Sequence, residues 1–421
     1  MPRPLLPDLL RRNRPFRVFW IAETTSLVGD QISLLALPLV AVLTLGAGPA
    51  DMGYLTAANL IPNLLFSLHA GAWADRRGGR RSLMIATDLG RAVLLASIPV
   101  AYAVGALSMA QLYAVAFLTG SLSVVFWVSY NTLFVSLLPR DDYVTGGSLL
   151  NGSRAVSFMA GSSIGGLLVQ ALTAPFAVAV DAISFVACAA MLRTIDPREP
   201  QPDDDGDTGV LEGLRFIASD PVMRASLGAT ATINLFNFMF FALFILFATR
   251  SLGVSPGTLG VVLGAGAVGS LLGSLVTART QRSIGIGPAF ALGCLLFPAP
   301  LVLVPLAGGP DPLILSLLFL AEFGSGLGVM MLDITGGVIS AALVPDRLRS
   351  RVAGAYMVVN YGVRPLGSIA GGLLGSALGL RPALWIATVG ALAGVLWLIP
   401  SPVMRLRDVP GAADEPLRSV A

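Results

Sequence analysis

Asp30 and Glu322 are carboxylates placed where a carboxylate is expensive. Each lies near the middle of a long apolar stretch, residues 18–45 and 312–335, and Asp30 is followed by Gln31. A charge at the centre of a bilayer costs at least ~2.5–3.5 kcal/mol on insertion scales, so such a residue needs a task or a partner. As a task, either carboxyl can take up and release a proton, or hold the ammonium of a cationic solute. Asp333, nearer the end of its stretch, is a third candidate for the same work. As partners, two of the three arginines inside apolar stretches are candidates: Arg154 for Asp30, and Arg364 for Glu322. Asp88 and Arg91, three apart on one helix face, are expected to neutralise each other near a membrane edge. Glu23 reads as interfacial and His69 as a packing residue.

These residues belong to a chain of 421 residues, 55% hydrophobic and only 12% charged, with a mean hydropathy of +0.79. An average soluble domain carries roughly 25% charged residues, so this chain lacks the charge to cover a water-facing surface and expects lipid. All 27 basic residues are arginine. Without lysine there is no Walker A lysine for ATP hydrolysis of the usual kind, and no Schiff base to retinal or pyridoxal phosphate. A soluble enzyme is excluded as a working reading. Cys188 and Cys294 lie in apolar runs and suit packing, and one histidine makes no zinc or haem constellation. No cofactor is implied.

Twelve stretches approach the length needed to cross ~30 Å of hydrocarbon. They cover 18–45, 52–73, 82–104, 109–137, 149–171, 175–194, 225–249, 256–278, 287–307, 312–335, 354–378 and 382–400. Counted on alternate sides, 22 of the 27 arginines fall on one side, two on the other (Arg250 and Arg381), and three (Arg91, Arg154, Arg364) inside helices. The arginine-rich side is cytoplasmic, with both termini on it. This placement assigns the net charge of +3 to membrane topology rather than to nucleic acid. The expected organisation is an N-terminal six-helix half (1–195), a cytoplasmic linker (196–224), a second six-helix half (225–400) and a cytoplasmic tail (401–421). In the linker, the acidic PREPQPDDDGD precedes VLEGLRFIAS, where Leu211, Leu214 and Ile217 suit an interfacial helix.

The two halves repeat. At an offset of 206 residues, LLPRDD at Leu137 faces LVPDRL at Leu343, and GSSIGGLLVQAL at Gly161 faces GSIAGGLLGSAL at Gly367. A shared loop proline and a shared Gly-Ser-x-x-Gly-Gly in one register rarely arise by chance. Two parallel six-helix halves joined by a central linker form a carrier architecture.

The loop after the second stretch reads Gly71-Ala-Trp-Ala-Asp75-Arg76-Arg77-Gly78-Gly79-Arg80-Arg81. Gly71 permits close helix contact, Asp75 can accept from neighbouring donors, Gly78 permits a tight turn, and the arginines suit an anionic membrane face. This run resembles the major facilitator superfamily signature G-x-x-x-D-R-x-G-R-R, with Gly79 in place of one arginine. LVGDQISLLALPL, ADRRGGRRSLMIATDLGRA, LLPRDD and PFAVAVDAISFVACA resemble the macrolide-efflux-like exporter branch, and the resemblance spans residues 15–400.

The resemblance implies an all-α fold of twelve transmembrane helices in two bundles related by a pseudo-twofold axis. It also implies a gating role for Gly71, Asp75, Arg76, Gly78, Arg80 and Arg81. The first, fourth, seventh and tenth helices of this superfamily line a central cavity, making Gln31, Trp127, Tyr130, Asn131, Asn234 and Asn237 lining candidates. The third, sixth, ninth and twelfth are peripheral, so Asp181 is expected to be structural. Ser148, Ser157, Gly161, Ser162, Gly165 and Gly166 stand at the spacings of the superfamily's antiporter motif, with serine replacing its proline and two glycines. These small residues, with Gly367, Gly371 and Gly372 in the repeat, are expected to let backbones approach across the interface between halves. Unlike many drug exporters of the superfamily, this chain has no arginine within residues 111–135. The implied function is export of a lipophilic, drug-like or secondary-metabolite small molecule in exchange for protons, by a monomer in the cytoplasmic membrane, its partners being solute, protons and lipid. An importer or facilitator of the same fold is the alternative. A non-transporting scaffold would have no reason to keep several charges in lipid.

Overall fold

Long apolar runs that must leave no backbone group unpaired in lipid fold as helices, which close their hydrogen bonds within the segment. The structure, a computed structural model, describes residues 7–77, 79–197 and 210–407, with all of their side chains except those of 67–77. The long helices are α1 (Arg14–Leu39), α2 (Pro49–Arg77), α3 (Arg80–Ala103), α4 (Met109–Leu137), α5 (Tyr143–Leu172) and α6 (Ala174–Leu192). They continue as α7 (Pro221–Leu246), α8 (Pro256–Ile284), α9 (Ile286–Leu296), α10 (Asp311–Leu343), α11 (Arg349–Leu378) and α12 (Leu380–Leu392). A short helix, Val210–Ser219, precedes α7. Among the described residues there is no strand.

Ten helices among the described residues are long and apolar enough to cross a membrane. The other two, α2 and α11, are 29 and 30 residues long. Asn59 and Asn63 dilute the apolar character of α2, as Asn360 and Arg364 do that of α11. Each expected stretch coincides with a helix, but α9 stops at Leu296 and resumes as short turns at Ala299–Val302 and Leu303–Leu306. Pro298, Pro300 and Pro305 interrupt the helical ladder there.

The chain divides into two compact units. The described residues of one fall within Met1–Gly206 and Gly253–Gly264, those of the other within Asp207–Leu252 and Ala265–Ala421. In the first, α1 packs on α5 and α6, α2 on α4, and α3 on α4 and α6. In the second, α7 packs on α11 and α12, and α9 on α10. Backbone approach on glycine makes the α1–α5 and α7–α11 contacts alike. Gly161 lies against Gln31 and Gly165 against Ile32, while Gly367 lies against Leu235 and Gly371 against Met239. For Gly161, Gly165, Gly367 and Gly371 the approach expected between the halves is thus made within one half. Gly166 and Ser162 keep the expected approach, lying against Pro256 and Gly260 at the start of α8.

The repeat extends to the turns. Arg140–Asp142 and Asp346–Leu348 are matching 3-10 turns after Pro139 and Pro345. Thr173 and Gly379, 206 residues apart, both hold left-side backbone conformations between helices, with φ 76° and 92°. At Thr173 (ψ 157°) this region is all but reserved for glycine, and an exposed β-branched residue there carries a strain of order 1–3 kcal/mol. Thr173→Gly is therefore expected to stabilise the protein by about 1 kcal/mol after glycine's own entropy is counted. Gly379→Thr should destabilise it by at least as much. Thermal unfolding in detergent measures both, and an unchanged midpoint for Thr173→Gly would show that the turn carries no strain.

The linker helix keeps Leu214 and Ile217 of the expected face against the second unit's core and turns Leu211 out. Leu211 is 61% exposed, whereas Gly213 and Ile217 are buried. Gly213 lies against the backbone of Arg351 and Val352 of α11, and Glu212 pairs with the Arg351 guanidinium. Ile217 joins a buried cluster with Phe290, Val344, Val352 and Val403. The helix covers the second unit, because a glycine in the middle of its face allows backbone contact that a leucine face would prevent.

Candidate functional site

In the first unit, the buried charges gather around one guanidinium. Arg91 pairs with Asp88, and its Nη1 lies 4.0 Å from Asp30 Oδ1. The rings of Phe126 and Phe185 lie 4.3 and 4.1 Å from its Cζ and fix the plane of the fork between them. The expected Asp88–Arg91 pair is present but fully buried, and the expected partner of Asp30, Arg154, is replaced by Arg91. Arg154 instead stacks over Trp127 and Tyr130, at 4.8 and 5.4 Å from the ring centroids.

Glu23, read as interfacial, is 2% exposed, with one carboxylate oxygen buried and unbonded. Asp88, Arg91, Asp30 and Arg154 all lie within electrostatic reach of it. The missed signal is its spacing: Glu23 and Asp30 are seven apart, which sets them on one face of α1. Asp181 of α6 joins the same face through hydrogen bonds from Ser33 and Ser184. Asp30 is the accessible member, with 39% of its side chain exposed.

Of the first unit's expected lining residues, Trp127 and Asn131 are exposed and Gln31 is half-buried with an unbonded oxygen. Tyr130 belongs to the core, stacked with Phe126 and Phe19. The side chains of Asp75 and Arg76 and the surroundings of Gly71 lie outside the described residues, as does all of Gly78. Gly79 takes φ 63° at the start of α3, so the glycine that departs from the signature makes the left-handed turn itself. Arg80 is buried, and Arg81 donates to the Ile195 carbonyl and lies 3.6 Å from Asp196. These contacts tie the start of α3 to the end of α6.

In the second unit, α7 and α11 face each other through a polar ladder. Thr230 and Asn234 are four apart, as are Tyr356, Asn360 and Arg364, so each set forms a stripe on one helix face. The Thr230 and Tyr356 hydroxyls are 2.7 Å apart, and Asn234 Nδ2 donates to Asn360 Oδ1 at 3.0 Å. Arg364 Nε donates to Asn234 Oδ1 at 3.1 Å, and its guanidinium lies over the Tyr361 and Phe238 rings at 4.2 and 5.0 Å. The ladder opens on a cavity of about 370 Å³. A second lobe of about 230 Å³ shares Thr230, Asn234, Asp333 and Arg364 with it and adds Asn237. The structure thus brings Asn234, Asn237, Asp333 and Arg364 together. It leaves Glu322 apart, against Gly266 of α8 with no described cation paired to it, so Arg364 is not its partner. Tyr356 and Asn360 were legible as a stripe with Arg364, had the four-residue spacing been followed.

A family model described as transmembrane secretion effector matches residues 9–418. The multidrug efflux pump Tap of Mycolicibacterium fortuitum is 27% identical over 384 residues, covering 87% of this chain and 90% of that protein. The uncharacterized MFS-type transporter YfiS of Bacillus subtilis is 25% identical over 403 residues, covering 93% of each. Among solved structures, a bacterial homologue of the iron transporter ferroportin in an inward-facing state matches with a TM-score of 0.75 at 15% identity, covering 92% of this chain and 98% of that one. The nucleoside transporter NupG matches at 0.74 and 14% identity, covering 91% and 98%. At such identities the solved structures show the fold alone. With its helices, its internal repeat and the family match across nearly its whole length, the chain belongs to the transmembrane secretion effector family of the major facilitator superfamily and is a multi-pass membrane transporter.

Proposed function

We propose that this transporter exports a lipophilic, drug-like or secondary-metabolite small molecule in exchange for protons. It does so by alternating access of its two halves, residues 1–195 and 225–400, as a monomer in the cytoplasmic membrane with both termini inside. The observation that carries the proton coupling is the buried cluster around Arg91. Glu23, Asp30, Asp88 and Asp181 outnumber the cations Arg91 and Arg154 that accompany them. Uncompensated carboxylates in a low-dielectric interior are costly, so a cluster with surplus acid has a place for a proton. Asp30, with the most exposed of the carboxylates, is where that proton enters and leaves. Arg91 alternates between Asp88 and Asp30 as Asp30 gains and loses it. The likeness to a multidrug efflux pump supports the direction and the broad class of solute, and the arginine distribution supports the orientation.

The test is made in proteoliposomes with an imposed pH gradient and a pH-sensitive dye inside, using ethidium and Nile red as probes. Probe addition is expected to drive proton movement, and Asp30→Asn to abolish it while the protein still elutes as one folded species. Cells overproducing the chain should accumulate less of the probes. Unchanged proton movement in Asp30→Asn would remove that residue from the mechanism, and higher accumulation would make the protein an importer.

A further inference from the structure

We infer that the second unit holds a binding site for an amphipathic zwitterion, its anionic group on the Arg364 fork and its cationic group at Asp333. The inference rests on the reading of the chain as a carrier of small organic molecules and names the charge pattern of what this unit recognises. Arg364 is immobilised on three sides: Asn234 takes its Nε, and the Tyr361 and Phe238 rings cover its planar group. Its two terminal nitrogens donate to no described residue, and the Asp333 carboxylate accepts from none. Both line the same cavity and feel each other's charge, yet they are more than 4.0 Å apart and form no ion pair.

A guanidinium fork held flat is preorganised for bidentate recognition of a carboxylate or a similar anion. A lone anion placed on it would stand near Asp333, and a lone cation at Asp333 would stand near Arg364. A ligand carrying both charges satisfies each with its opposite. Beside the hydroxyls and amides of the ladder, the wall carries an apolar part, with Phe290, Leu332, Ile339 and Met357, that suits a hydrophobic body. The volume of about 370 Å³ falls within the range of drug-sized pockets.

Nε-dansyl-lysine has a free amine, a free carboxylate and an apolar fluorophore. Its methyl ester keeps only the cation, and its Nα-acetyl derivative only the anion. Equilibrium binding to the full chain in nanodiscs, read from dansyl fluorescence without any gradient, is expected to favour the zwitterion over both derivatives by about tenfold or more, the scale of one desolvated charge pair. Arg364→Gln should erase the advantage over the ester and keep that over the acetyl derivative. Asp333→Asn should do the reverse. Equal binding of all three probes, no binding of any, or an equal loss of all three in Arg364→Gln would overturn the inference. Because no gradient or flux is involved, a failure of proton-coupled export leaves this result standing, and a failure here leaves the export of other solutes open.

Discussion

Arg91→Met is expected to prevent the chain from accumulating as a folded, monodisperse protein, and Asp88→Asn in the same chain to restore much of what was lost. Methionine keeps the unbranched stem that fills the space between Phe126 and Phe185, so the change removes charge more than volume. What remains is Asp88, wholly buried and stripped of its ion pair, with Asp30 and Glu23 close by. Removing one partner of a buried pair typically costs about 3–5 kcal/mol, a large share of the ~5–15 kcal/mol that holds a domain together. Neutralising Asp88 withdraws the charge left behind, which is why the double variant should recover. Size-exclusion profiles and thermal unfolding in detergent read both variants. A single variant with wild-type expression and midpoint would show that the cluster does not depend on Arg91.

Gly367→Val is expected to be nearly as damaging, for a steric reason. A β-carbon at Gly367 runs into the carbonyl of Leu235, and backbone on a helix cannot swing aside as a side chain would. The two helices must separate there. Separation stretches the Thr230–Tyr356 and Asn234–Asn360 hydrogen bonds and frees Arg364 from Asn234. Several buried polar groups then lose partners together, each at about 1–3 kcal/mol. Gly152→Ala is the control: a β-carbon there meets nothing within 4 Å, so the change should be neutral or slightly stabilising. Equal midpoints for Gly367→Val and the wild type would mean that α7 and α11 are not held by this contact.

Much of the fold was legible in the sequence because lipid imposes a length and forbids alternatives to the helix. The repeat was legible too, and its register holds from Pro139 and Pro345 to Thr173 and Gly379. Charge partners were not. Asp30 and Arg154 both fall within apolar stretches, but which arginine reaches Asp30 depends on the rotation of α1, and a helix whose apolar residues favour no one face gives no sign of its rotation through hydropathy. Polar residues in lipid carry that sign instead: Glu23 with Asp30, and Tyr356 with Asn360 and Arg364, each mark a face by their spacing. In the linker helix Leu214 and Ile217 mark the covered face but Leu211 does not. The closest approach there is made by Gly213, a residue that hydropathy does not weight.

The seat of that short helix has a practical consequence for dividing the protein into two coexpressed polypeptides. A second piece cut just before α7 would begin without Gly213 and Ile217, uncovering Val352 and the start of α11 and leaving Arg351 without Glu212. The break belongs ahead of Val210, so that the trailing piece carries its own lid. For the same reason that piece should retain Val403 and Leu406, since Leu406 accepts from Gly287 at the start of α9. The natural seam of the chain lies earlier than its hydrophobic spans alone would place it.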